Sequence, residues 1–97
     1  MKKVNIVFDG LLEDVDIISV PDEIVHRMEE IGQEFLCWVA TTTDSDYLLA
    51  IEGKSYAVAE TDGFIKWLNT YYCKNMDKAK IVIQHTNYCP QYLTIEF

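Results

Sequence analysis

The side chains in this sequence with the most chemical potential are carboxylates. Asp14-x-Asp16 and Asp44-x-Asp46 are acid pairs of the kind that can hold a hard cation or share a proton. Neither opens a Gly-containing twelve-residue loop that ends in Glu, so neither is an EF-hand. General acid–base catalysis needs carboxylates that converge in a cleft, and spacing alone does not show convergence. Five further side chains are possible metal ligands: Cys37, Cys73, Cys89, His26 and His85. Structural zinc sites use close pairs such as C-x2-C, and here only His85 and Cys89, in HTNYC, lie near each other. The same two residues are the candidate nucleophile and base. A reactive thiol needs an electropositive setting, and this one is acidic or neutral. The sequence carries no G-x-G-x-x-G, no P-loop, no G-x-S-x-G and no H-E-x-x-H. The expectation is therefore a protein that is not an enzyme and that holds no metal and no cofactor.

The acids are unevenly distributed. The stretch DGLLEDVDIISVPDE, residues 9–23, holds six acids and no base. Residues 9–62 carry fourteen acids against Arg27 and Lys54, a net charge of −12 within a chain of −8. A field of that sign repels phosphate backbones and anionic membranes, and it attracts a basic protein. Acidity that serves solubility alone is the plainer alternative.

The chain of 97 residues fits one domain with its own core. No apolar run approaches the ~20 residues that span a bilayer. The start, MKKVNIVFDG, resembles a signal peptide only until Asp9 interrupts it, and no small-residue cleavage site follows. Three widely spaced cysteines suit reduced thiols better than a disulfide framework. A soluble, cytoplasmic protein is expected.

The elements that must position the acids can be read from periodicity. Residues 3–8 alternate as a strand, and 15–19 form a second one, with Asp14 and Asp16 opposite the Val15 and Ile17 face. Pro21 and the acids after it suit a helix start, and an apolar stripe runs from Ile24 through Met28, Ile31 and Phe35 to Val39. One helix over 21–40 is expected, in preference to a helix that stops at Gly32 before a buried strand. YLLAIE and SYAVAE flank Gly53-Lys54, which predicts a type II′ hairpin with Leu49 facing Val58 and Ile51 facing Tyr56. Its bulky face would hold Tyr47, Leu49, Ile51, Tyr56 and Val58, and its small face Leu48, Ala50, Ala57 and Ala59. Thr61 or Asp62 caps a second helix, over 62–74, whose core stripe is Phe64, Ile65, Leu68, Tyr71 and Tyr72. KIVIQ and YLTIEF are the last strands, around a turn at Pro90. The expected fold class is a single α+β domain over 1–97. It has a largely antiparallel sheet of about six short strands and two helices, in the order β-β-α-β-β-α-β-β.

Trp38, Tyr47, Tyr56 and Tyr71 are expected to fill the core, and Tyr72, Tyr88 and Tyr92 to be partly exposed. Tyr and Trp are common anchors of protein interfaces. Concentrated negative charge on a small fold without catalytic motifs fits a bacterial immunity-type protein. Such a protein neutralises a basic toxin, such as a nuclease, by covering its nucleic-acid-binding or active site. The expected contact residues are Glu13, Asp14 and Asp16 in one patch, Asp44 and Asp46 in another, with Tyr72 and Tyr88 as anchors. A phage-type DNA mimic that blocks a host nuclease complex uses the same physics. A homo-oligomeric adaptor is the alternative from another class, and a minor enzyme or ligand-binding domain is a third. The oligomeric state, the partner's identity and the acids that face it are left open by the residues.

Overall fold

A computed structural model describes residues 1–97, the side chain of Ala57 excepted. Strands β1 (Lys2–Val7) and β2 (Val15–Val20) are followed by a short helix α1 (Asp22–Val25) and the longer α2 (Met28–Thr41). A single 3-10 turn, Ser45–Tyr47, leads into β3 (Leu48–Ile51) and β4 (Lys54–Ala57). Helix α3 (Thr61–Tyr71), β5 (Lys80–Thr86) and β6 (Leu93–Glu96) complete the chain. The protein is a single α+β domain of six strands and two main helices, in the expected order. The strands divide into a four-stranded sheet, β5-β2-β1-β6, and the separate hairpin β3-β4. Pairing is antiparallel except between β1 and β6, which run parallel with Val4 beside Leu93 and Ile6 beside Ile95.

Alternation along β1 and β2 explains how both faces of the sheet are used. Val4, Ile6, Ile18 and Val20 point to one face and pack beneath α2 and α3. Phe35 of α2 and Phe64 of α3 meet there at 5.2 Å between ring centroids, and Phe97 closes on Phe64 at 5.1 Å, edge to face. Aromatic pairs at such distances contribute beyond the apolar area they bury. Val7, Val15 and Ile17 point to the other face, where Tyr88, Cys89 and Tyr92 cover them. Those residues belong to the connection from β5 to β6, which must cross the sheet because its two strands lie at opposite edges.

One polar side chain pins that crossing. Asn5 is fully buried beside Val4 and Ile6. Its Nδ2 donates to the Cys89 carbonyl at 2.8 Å and to Thr94 Oγ1 at 3.3 Å, and its Oδ1 accepts from the Cys89 N–H at 3.1 Å. A buried amide is tolerated only when its donors and acceptors are matched, and this one is.

Several expectations change in detail. The helix over 21–40 is present, and residues 33–41 are helical, but a turn at His26–Arg27 splits it into α1 and α2. Neither Gly nor Pro marks that break. Gly32 continues the helix at the point where β6 comes closest. A Cβ added there would meet Phe97 and Ile95 at 3.5 and 3.6 Å, ordinary contact distances. In α3 the buried stripe is Phe64, Trp67 and Leu68, and Tyr71 is 54% exposed, so the core-facing side is rotated toward Trp67.

The hairpin loop is Glu52-Gly53, with φ of +51° and +77°. Positive φ at both central residues is the type I′ arrangement, not the type II′ expected from Gly53-Lys54. Its twist matches that of the strands, at a cost of about 1 kcal/mol for a non-glycine residue in that region. Leu49 consequently pairs with Tyr56 and Ile51 with Lys54. Because the pairing moves by two residues, Leu49, Ile51 and Tyr56 still share one face. Tyr47 lies in the core as expected, at 4.7 Å from Trp38, but Tyr56 does not. The expected small face includes Ala57, which lies outside the described side chains.

Candidate acidic interface

The turn from β1 to β2 and the end of β5 bring the first acids together. Asp14 precedes β2 and accepts a hydrogen bond from His85 Nδ1 at 2.7 Å. That contact pushes the His85 imidazole above its usual pKa, because the neighbouring carboxylate favours the protonated ring. His85 holds a left-handed backbone conformation, φ +55°, and its N–H donates to Asp16 Oδ1 at 3.1 Å. Asp16 is only 7% exposed. Its other oxygen accepts from the Thr61 hydroxyl at 2.5 Å, at the first residue of α3. A carboxylate at a helix N-terminus complements the partial positive charge there. The N-cap of α3 is Glu60 and not the expected Thr61 or Asp62, and the Glu60 side chain makes no capping bond. Asp16 therefore ties β2, β5 and α3 together, and little of its side chain is exposed.

The second patch is built by a local turn. The Asp44 carboxylate accepts from the Asp46 N–H at 3.0 Å and thereby starts the 3-10 turn. Asp46 reaches Lys66 of α3 at 2.5 Å. The contact pushes the Lys66 ammonium above its usual pKa, the hydrogen bond to Asp46 being the main cause. Lys66 also lies 5.5 Å from the centroid of the Tyr47 ring.

The two patches are joined at the start of α3. One cleft, of about 360 Å³, is lined by Asp16, Glu60, Thr61, Asp62 and His85 among others. Another, of about 200 Å³, is lined by Asp46, Leu48, Leu49, Val58, Glu60, Asp62 and Lys66 among others. Glu60 and Asp62 line both. Glu60 and Asp62 thus stand between Asp46, in one cleft, and His85 with its partner Asp14, at the other, a series of acids referred to below as the acidic band. The basic side chains that line the two clefts are Lys66 and His85, and each contacts a carboxylate of the band.

The other expected contact residues fall in different places. Glu13 is exposed in the β1–β2 turn beside Asp14. Tyr88 is half-buried on the sheet face away from the helices, and its N–H donates to the Leu12 carbonyl at 2.8 Å. Tyr72 follows α3 at the end opposite Glu60, and its hydroxyl bonds Glu34 of α2. Burial and the Glu34 carboxylate both push its phenol up. Tyr72 and Tyr88 are therefore not brought together with each other, and Tyr72 is remote from the band. Glu60 and Asp62 are not among the expected residues, although Glu60-x-Asp62 repeats the acid-x-acid spacing of the other two pairs.

No group of three or more His, Cys, Asp or Glu side chains with metal-binding geometry occurs among the described residues. The three cysteines are free, with Cys37 exposed, Cys73 buried and Cys89 between. Burial pushes the Cys73 thiol up. Among the described residues no helix is long and apolar enough to cross a membrane. No protein-family model matches the chain, and no curated protein and no solved structure shows significant similarity to it.

Proposed function

We propose that this chain is a capture protein of the immunity type, which binds a basic protein and covers the surface that protein offers to nucleic acid. A toxic nuclease is the partner class that fits. The observation that carries the reading is the sharing of Glu60 and Asp62 by the two clefts, which supports one extended acidic docking band in place of isolated acids. A field of that kind accelerates encounter with a cationic surface and discriminates against anionic ones.

The test is affinity capture on the immobilised chain at low and high salt, with bound proteins identified by mass spectrometry and their association rates then measured. A basic nuclease retained at low salt is expected. Its on-rate falls roughly tenfold in the Glu60→Gln/Asp62→Asn double variant. It changes little in Glu29→Gln/Glu30→Gln, which removes equal charge from α2. Equal loss in both variants, or association indifferent to salt, refutes the band.

A further inference from the structure

We infer that the β3–β4 hairpin is the anchoring part of the interface and receives, as a third strand, an extended segment of the basic partner in which apolar side chains alternate with Lys or Arg. The inference rests on the proposed capture function for the sign of the partner's charge, and on the hairpin itself for the rest.

Leu49, Ile51 and Tyr56 share one face of the hairpin and are 47%, 49% and 47% exposed. Single exposed apolar residues are ordinary on protein surfaces, but three in register on one strand pair make a patch. Among the described residues the hairpin has no third strand on either side. Two-stranded sheets are marginal by themselves, and a third strand with an apolar face is the usual remedy. An added strand would satisfy backbone N–H and C=O groups along an open edge, and alternate side chains would supply selectivity.

Charge identifies the segment. Leu49 also lines the cleft formed with Glu60 and Asp62, so the apolar face continues directly into the acidic band. At the hairpin tip Glu52 is balanced by Lys54, which lies opposite Ile51 on the same face, so the cationic side chains of the segment belong at the Leu49 end, beside Glu60 and Asp62. An apolar centre beside a charged margin is the common anatomy of protein interfaces. The edge strand β5 also exposes apolar side chains, Val82 and Ile83, and differs from the hairpin in its charge and its regularity. Lys78 and Lys80 stand at its start, and its pairing with β2 is broken by register shifts, devices that discourage strand addition and repel a cationic segment.

The full chain, labelled with 15N, tests the proposal by NMR titration with three capped nonapeptides: alternating Lys-Val, alternating Lys-Ser and alternating Glu-Val. The Lys-Val peptide is expected to shift amides of β3, β4 and residues 58–63 and to bind at least roughly tenfold more tightly than Lys-Ser. The Leu49→Ser/Ile51→Ser variant, altered only at exposed positions, keeps its melting temperature and binds Lys-Val no better than Lys-Ser. If Lys-Ser binds as tightly as Lys-Val, the band captures charge alone, and the hairpin inference fails while the proposed function stands. If neither cationic peptide binds, both fail. Shifts confined to other elements, tighter binding of Glu-Val, or dimerisation of the unliganded chain that the double variant abolishes also overturn it.

Discussion

Strands β1 and β3 are both apolar segments that end in a sheet, and they meet opposite fates. Every residue from Val4 to Val7 is fully buried, including an asparagine, whereas Leu49, Ala50 and Ile51 are exposed. The difference lies in what each strand is placed between. β1 has β2 and β6 at its sides, helices over one face and residues 87–92 over the other. The hairpin has one partner strand on each account and an uncovered face. Apolar patterning thus specifies a strand, and the elements that arrive around it decide whether the strand is core or surface. The informative residues are those that violate the pattern, Asn5 inside and Ile51 outside.

The comparison is broken most completely by removing the support of β1. Ile95 is buried, Phe97 N–H donates to the Val7 carbonyl at 2.8 Å, and the Phe97 ring meets Phe8, Phe35 and Phe64. Deleting residues 93–97 is expected to cost more than about 5 kcal/mol, comparable to the whole stability of a small domain. Circular dichroism should then show no cooperative melt. Asn5→Ala removes the matched amide and strands the Cys89 backbone groups, at about 3 kcal/mol in urea denaturation. Faster hydrogen exchange at Cys89 should accompany it. On the hairpin, Ile51→Ser should change stability by less than about 0.5 kcal/mol, because its side chain already meets water. A larger loss would mean that the hairpin face is covered in solution.

Two smaller effects sharpen the picture at the edges of the sheet. The His85 imidazole is raised in the folded protein, so its bond to Asp14 stabilises fully below the unfolded pKa of about 6.5 and is lost as pH rises through the folded value. In Asp14→Asn the NMR titration of His85 should fall back toward about 6.5. Both groups are well exposed, so the melting temperature should scarcely follow. Gly32→Ala finds ordinary contact distances inside a helix and should be neutral or stabilising by up to about 1 kcal/mol, read from the urea midpoint.

Helices, strands and their order were legible because periods of 2 and 3.6 are local signals. The covering of the second sheet face was not, and Asp16 shows the consequence. Alternation correctly places it opposite Val15 and Ile17, but that face is the core side, where Thr61 and the His85 N–H hold it. The break at His26–Arg27 and the exposure of Tyr71 likewise have no local signature; they reflect how α2 and α3 dock. In the acidic band, the ends were legible as acid-x-acid pairs. The bridging pair Glu60 and Asp62 was obscured, because acids at the start of a helix already have a local purpose in the helix dipole. That Glu60 and Asp62 line two clefts at once depends on a contact between elements 45 residues apart, Asp16 with Thr61.

The parallel partnership of β1 with β6 also has a bearing on folding. Val4 lies beside Leu93, so β1 waits for a strand far downstream in the chain before its second edge is filled. Contacts between residues so far apart in the chain put the domain among the slower folders for its size, with an apolar strand edge open in the interval.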